Sequence, residues 1–189
     1  MRIEFLLEEQ SMAFFLEELL PRILPPQYQL NVNYFLRPHN GKSDLLKSIP
    51  RKVKAFSNVN YETVKIVVLH DQDSNDCIKL KSKLKTICEE SGTCPVLVRI
   101  VCRELEAWHL GCFDGLEKVY PRLKGSIHRN KAKFRNPDSC HASDELRRIV
   151  PEFKKSDTAR QMGKIIDINS NKSVSFQQFI SGLSKFLHQ

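Results

Sequence analysis

Acidic residues follow three apolar, strand-like stretches of the chain. They are Glu8 after residues 2–7, Asp71 and Asp73 after residues 64–69, and Glu104 and Glu106 after residues 95–102. Because the carboxyl ends of parallel strands meet at one edge of a sheet, where ligands bind in open α/β folds, we expect these side chains to converge. Carboxylate oxygens are the ligands that hard divalent cations prefer. The pattern therefore predicts a site for Mg²⁺ or Mn²⁺.

The acids are not equivalent in this prediction. Glu104 and Glu106 face one side on an extended strand end, whereas in a helix they diverge by about 200°. If a helix starts at Glu104, Glu106 is the more exposed of the two, so Glu104 is the preferred ligand. Asp76 precedes a helical pattern and is interpreted as its N-cap. His70 lies next to Asp71, but strand alternation is expected to turn it away from the acids.

Alternating strand and helix patterns position these residues. The expected strands are 2–7, 29–36, 64–69 and 95–102. Ser11 is expected to cap the first helix, and two further helices are expected at 43–56 and 75–90. Residues Leu30, Val32, Tyr34 and Leu36 are expected on one face of the second strand. Right-handed crossovers then give an α/β fold, with a mostly parallel four-stranded sheet and helices on both faces.

The second half of the chain is mainly helical. Helices are expected near 104–110, 113–119, 143–149, 157–166 and 175–187, around a basic loop at 122–141. We predict one domain overall, with an α/β core at 1–112 and a basic loop and helical C-terminal extension at 113–189 packed on it.

Composition favours a polyanionic partner. The chain has 189 residues, with 30 Lys and Arg against 22 Asp and Glu and a net charge of +8. This balance indicates a polyanion without specifying which one, and nucleic acid is the partner that we predict. The sequence shows no membrane-spanning or signal segment, so we expect no membrane association and a cytoplasmic location. The six cysteines form no C-x-x-C pair and are expected to be reduced.

Several basic residues are candidates for nucleic-acid contacts, although solvated helix faces explain such clusters equally well. The candidates are Lys42, Arg129, Lys131, Lys133, Arg135 and Lys155. The set at 129–135 recurs at every second residue in a loop and could follow a phosphate backbone. His39, Gly41 and Lys42 precede a helix whose N-terminus could receive a phosphate oxygen.

Other acidic motifs are weaker. Asp71 and Asp167 each begin a string that is similar to a calcium loop, but both strings lack the required glycine and terminal glutamate. An aspartyl phosphatase centred on Asp71 would need a hydroxyl and a lysine that the following residues do not clearly supply. It stays a minor alternative.

The order of acids after the strands resembles the Toprim fold of topoisomerases, primases and the overcoming-lysogenization-defect nucleases. More narrowly, residues 5–12, 70–77 and 102–108 are similar to an uncharacterised prokaryotic family of small Toprim-like proteins. The resemblance implies that Glu8 is an acid/base or metal ligand, that Asp71 and Asp73 are metal ligands and that Glu104 is a further catalytic carboxylate.

The chain departs from the family pattern at one position, and the resemblance implies a partner subunit. Cys112 stands where an acid is expected, and Asp114 could replace that acid. Similar Toprim-like proteins often accompany an ATPase of the ABC or AAA kind in defence systems, so the resemblance implies such a partner subunit.

Three functional hypotheses follow. The first is a metal-dependent nuclease that cleaves DNA or RNA with one or two Mg²⁺ ions, as an effector of prokaryotic defence. The second is a non-catalytic Toprim-like module that binds nucleic acid or regulates an ATPase partner. The third is phosphoryl transfer on a nucleotide.

Overall fold

Four parallel strands form the centre of the protein. The computed structural model describes residues 1–188. The strands are β1 (Arg2–Leu7), β2 (Tyr34–Pro38), β3 (Val64–Asp71) and β4 (Val96–Val101). They pair in the order β2-β1-β3-β4, and every pairing is parallel. The predicted α/β fold with a four-stranded parallel sheet is confirmed, and β1 and β3 occupy its two central positions.

Helices cover both faces of the sheet because each face of the central strands is apolar. On one face, α2 (Lys42–Ser57) and α3 (Cys77–Ser91) pack against side chains such as Leu6 and Val68. On the other face, α1 (Gln10–Ile23) packs against side chains such as Phe5. All eight residues of β3 are buried, as expected for a central strand covered on both sides.

Two local expectations in the first half of the chain are wrong. Residues 29–33 form a turn instead of the first half of β2, because Asn31 adopts φ +61° and the Gln29 carbonyl accepts from the Asn33 amide at 3.1 Å. Val32 consequently lies 67% exposed. Ser11 lies inside α1 and donates to the Glu9 carboxylate, so it does not cap the helix; Glu9 occupies the N-cap position.

The second half contains helices close to the predicted ones. They are α4 (Glu106–Leu110), α5 (Phe113–Val119), α6 (Gly125–His128), α7 (Ala132–Arg135), α8 (Ala142–Ile149), α9 (Lys155–Ile165) and α10 (Val174–His188), with a 3₁₀ turn at Pro137–Ser139. The last residue of the predicted C-terminal extension, Gln189, lies outside the described residues. None of the helices within residues 1–188 has the length and apolar character needed to cross a bilayer.

Trp108 of α4 links α10 to α1. Its ring stacks on Phe179 of α10, with 5.3 Å between ring centroids, and meets Phe15 of α1 at 5.7 Å. The indole N–H donates to the Ser175 hydroxyl at 2.8 Å, which satisfies the polar atom of a fully buried ring. Together with the packing of α9 on α1, these contacts hold α4 and the start of α9 beside the carboxyl edge of the sheet.

Candidate metal centre at the carboxyl edge of the sheet

Glu8 and Asp71 meet at the carboxyl edge because they end neighbouring strands. Glu8 directly follows β1, and Asp71 is the last residue of β3. The Asp71 backbone amide donates to Oε2 of Glu8 at 2.9 Å. Both residues are largely buried, with 8% and 6% exposure. The structure thus brings together two of the predicted carboxylates.

The Asp71 carboxyl lies where its charged form is poorly stabilised. Oδ1 of Asp71 is buried without a hydrogen-bond partner. Burial raises the pKa of this carboxyl well above its ordinary value, and the neighbouring Glu8 and Glu106 carboxylates raise it further. Burial also raises the pKa of Glu8, against the opposing effect of His70. The edge therefore holds excess negative charge in a poorly solvated place.

Glu106 is the third member of this cluster. It begins α4 and is 1% exposed, so the expectation that it would be more exposed than Glu104 is wrong. Burial raises its pKa to about 7, and its Oε2 has no hydrogen-bond partner. Glu104 lies in the preceding turn, half-buried, and its Oε1 accepts from the Ser143 amide at 2.8 Å at the start of α8. The turn before α4 therefore directs Glu106 toward Asp71 and Glu104 toward α8.

Asp73 lies farther out than Asp71. Its backbone has φ +50°, and its carboxylate forms a 3.1 Å ion pair with Nζ of Lys42. The hydrogen bond with Asp73 raises the pKa of Lys42. The charge of the Asp73 carboxylate also raises the pKa of Glu8, after the larger effect of burial. Asp76 accepts from the Lys79 amide at 2.8 Å, which confirms it as the N-cap of α3.

Lys155 supplies positive charge to the cluster. From the first position of α9, its Nζ lies 2.7 Å from Oε1 of Glu9 and 3.8 Å from Oε1 of Glu106. Burial alone would lower the pKa of Lys155, but the Glu106 and Glu9 carboxylates outweigh burial and raise it. The predicted nucleic-acid contact at Lys155 is thus engaged by carboxylates within the fold.

The cluster includes two histidines that sequence patterns did not place there. Nδ1 of His70 lies 3.1 Å from Oε2 of Glu8, so the expectation that His70 faces away from the acids is wrong. Alternation failed because Glu8 reaches across from the neighbouring strand to the Asp71 amide. His109 of α4 is 1% exposed, and burial, aided by the Lys155 charge, lowers its pKa to about 3, which keeps the ring neutral.

The predicted basic groove at 129–135 is partly helical. Residues 132–135 form α7, so Lys133 and Arg135 do not share one side as they would on an extended chain. Lys133 pairs with Glu145. Arg129 pairs at 2.7 Å with both Asp114 and Glu117. Exposed Lys131 and Arg135 remain available to solvent.

The turn before α2 contains a glycine in a backbone conformation that other residues rarely adopt. Gly41 adopts φ +87°, and a Cβ there would meet no atom within 4 Å. The Gly41 amide donates to the Glu8 carbonyl at 2.9 Å, and the His39 ring contacts the Leu7 carbonyl at 2.8 Å. This turn thus carries Lys42 to the carboxyl edge beside β1.

The cluster fits a divalent cation in its donor chemistry. Unpartnered buried oxygens of Asp71 and Glu106 are hard donors with surplus negative charge. Yet over residues 1–188 no three His, Cys, Asp or Glu side chains are arranged to hold a metal ion. Lys155 lies between Glu9 and Glu106, and Lys42 holds Asp73. The acid proposed as a substitute for Cys112, Asp114, is exposed and paired with Arg129.

Comparison with known proteins gives one family and one distant structure. The model of a family described as "Domain of unknown function (DUF4276)" matches residues 7–184. The chain is also similar to the C-terminal region of the Xanthomonas campestris pv. campestris OLD protein, at 14% identity and a TM-score of 0.47, over 100% of this chain and 98% of that one. No curated protein matches the chain.

Proposed function

Because this chain belongs to the DUF4276 family, a family of unknown function, we propose its function from the site itself: it is a metal-dependent phosphodiester hydrolase that acts on DNA or RNA. The proposal combines the carboxylates at the sheet edge with a net charge of +8. Hard divalent cations are the usual partners of such carboxylates in phosphoryl chemistry. A basic protein attracts polyanions.

One observation carries the proposal. Asp71 and Glu106 each bury a carboxylate oxygen that has no hydrogen-bond partner. Such an atom costs free energy, because a buried charge is stable only when it is paired or bound to a metal. The charges of Glu8 and Glu106 both raise the pKa of Asp71. One divalent cation would stabilise the two unpartnered oxygens together.

The residues have distinct roles in this proposal. Glu8, Asp71 and Glu106 would hold Mg²⁺ or Mn²⁺ after a rearrangement of their side chains. Asp73 and Glu104 would complete the acidic site by exchanging their contacts with Lys42 and the Ser143 amide. A bound cation supplies a Lewis acid that activates water and stabilises the leaving oxygen. His70 orients Glu8 through its 3.1 Å contact, and Lys155 limits repulsion among the acids.

Cleavage assays with a matched variant test this function. Plasmid, single-stranded DNA and RNA are incubated with Mg²⁺ or Mn²⁺ and with wild type, Asp71→Asn or Glu90→Gln. Glu90 is exposed in the last turn of α3, at the opposite end of that helix from the acidic loop, so its variant controls for the lost charge. We expect cleavage by wild type and Glu90→Gln only. Equal cleavage by Asp71→Asn would show that the activity comes from elsewhere.

A second function is favoured by the two lysines. Lys155 and Lys42 already neutralise carboxylates at the edge, as a non-catalytic nucleic-acid-binding or regulatory module would allow. The two functions differ in their response to metal. A catalytic site gains stability when Mg²⁺ or Mn²⁺ is added, because a ligand that binds only the folded state stabilises it. A purely binding module unfolds at the same temperature with either ion or with EDTA.

We extend the proposal to a partner subunit. The motifs at residues 5–12, 70–77 and 102–108 resemble Toprim-like proteins that accompany ABC or AAA ATPases in prokaryotic defence. Cleavage that requires such an ATPase and ATP would support this assembly. Full activity of the isolated chain, unchanged by the ATPase, would contradict it.

A further inference from the structure

A cleft of 260 Å³ opens beside the candidate metal centre. Its lining consists of Asp73, Ser74, Arg103, Glu104 and His141. A larger cleft of 550 Å³, with Thr63 and Pro95 in its lining, lies at the opposite edge of the sheet and away from the carboxylates. The smaller cleft is therefore the one that a substrate of the acidic site would enter.

Two neighbouring loops adopt unusual backbone conformations to form this cleft. Arg103 has φ +56° and Asp73 has φ +50°, both in the left-handed region that costs a non-glycine residue free energy. The loops are held together, since the Asp73 amide donates to the Arg103 carbonyl at 2.9 Å and the Arg103 amide donates to Oε1 of Gln72 at 3.2 Å. Strain of this kind persists where surrounding contacts fix it, and it is concentrated at binding sites.

Arg103 differs from the other cations at this edge. Lys42 and Lys155 form ion pairs with Asp73 and Glu9. The Arg103 guanidinium instead donates to Nε2 of His141 at 3.1 Å, and no salt bridge to it exists in the described part of the chain. Because a guanidinium has no acceptor, Nε2 of His141 must carry a lone pair in this contact. The positive charge of Arg103 is thus not neutralised by the fold.

Glu104 does not supply the missing partner. Its Oε1 is already bound by the Ser143 amide at 2.8 Å, so the acid on the same loop is directed toward α8. A guanidinium that has free donors and opens on a cleft is suited to the two oxygens of a phosphate group. The acidic side of the cleft, at Asp73, faces the candidate metal centre.

We infer that Arg103, supported by His141, binds a backbone phosphate of nucleic acid adjacent to the phosphodiester bond at the acidic site. This inference rests on the proposed function for the position of the strand. It assigns the contact to the loop that follows β4, whereas the pattern of basic residues had indicated the loop at 129–135. Arg103 is a binding residue here and takes no part in bond breaking.

The test measures binding separately from cleavage. Fluorescein-labelled single-stranded and duplex oligonucleotides are titrated with wild type, Arg103→Gln and Arg51→Gln in EDTA, and anisotropy is followed over a range of salt concentrations. Arg51 is exposed on α2 and its Nε contacts the Lys47 carbonyl of its own helix, so its variant removes the same charge elsewhere. Folding of each variant is checked by thermal unfolding.

Arg103→Gln is expected to bind about tenfold more weakly than wild type, as for loss of a charge-assisted contact. Its plot of log affinity against log salt should be flatter by about one unit, the contribution of one phosphate contact. Arg51→Gln should change neither quantity by as much. Equal affinity and slope for the two variants would overturn the inference, as would the absence of binding to either probe by wild type.

Cleavage assays keep this outcome separate from the proposed function. If wild type cleaves nucleic acid and Arg103→Gln has the same affinity and salt slope as Arg51→Gln, the inference about the phosphate site is wrong but the proposed hydrolase is supported. If wild type does not cleave, but Arg103→Gln binds more weakly than wild type with a flatter salt slope, the proposed hydrolase is wrong but the phosphate site is supported.

Discussion

Replacing Glu106 with glutamine is expected to stabilise the protein at alkaline pH. Burial raises the pKa of Glu106 from 4.5 to about 7. The folded state therefore holds this proton more tightly than the unfolded chain does. The stability that this proton contributes is fully present below pH 4.5 and is lost as pH rises to about 7.

The magnitude follows from the same shift. Each pKa unit corresponds to about 1.4 kcal/mol, so the charged Glu106 lowers the free energy of unfolding by about 3 kcal/mol above pH 7. The attraction to Lys155 at 3.8 Å already reduces this cost. Glutamine is the neutral counterpart of the protonated acid. Allowing for imperfect contacts of the amide, Glu106→Gln should raise the free energy of unfolding by about 1–3 kcal/mol at pH 8.

Urea unfolding in EDTA at pH 4.5 and pH 8 measures this effect. Glu152→Gln, at an exposed position after α8, serves as the matched control and should equal wild type at both pH values. Glu106→Gln should exceed wild type at pH 8 and approach it at pH 4.5. A Glu106→Gln protein that is no more stable than wild type at pH 8 would refute the reasoning, because the buried charge would then be stabilised by a group that the structure does not contain.

Two further variants probe the packing that assembles the site. Lys155→Met should lower the free energy of unfolding by about 1–2 kcal/mol at pH 8 and by less at pH 5, where the carboxyls of raised pKa are protonated. Urea unfolding at both pH values measures this difference. An equal loss of stability at both pH values would contradict the charge argument. Gly163→Ala should lower it by about 1–3 kcal/mol at either pH, because its Cβ would lie 2.4 Å from the Phe15 carbonyl oxygen. Gln161→Ala, on the exposed side of α9, is the control for Gly163→Ala in thermal unfolding. If both variants unfolded at the temperature of wild type, the close packing of α9 on α1 would be contradicted.

Sequence patterns predicted the sheet because burial fixes the character of its strands. A central strand covered on both faces, such as β3, contains a continuous apolar run, here residues 66–69, and this makes it recognisable. The second strand was predicted too early because Leu30 and Val32 continue an alternation that the turn at Asn31 interrupts. Alternation alone does not distinguish a strand from a turn that exposes one apolar residue.

The same reasoning explains which site residues were predicted. Glu8 and Asp71 end neighbouring strands, so the topology of a parallel sheet brings them together. Lys155 reaches the site only because α9 packs on α1, a contact between segments that lie far apart in the chain. His109 depends on the direction in which α4 leaves β4. Such contacts follow from tertiary packing and leave no periodic signal in the sequence.

The site and the fold impose opposing demands on the carboxyl edge. Burying Asp71 and Glu106 with unpartnered oxygens destabilises the folded chain, and Lys155 offsets only part of that cost. Arg103 is positive and unneutralised, and hydrogen bonds to the neighbouring loop hold its left-handed backbone in place. A core of apolar side chains would satisfy folding alone at lower cost. The edge instead combines surplus negative charge with the unneutralised Arg103. A divalent metal ion would neutralise the acids, and a phosphate group would bind Arg103.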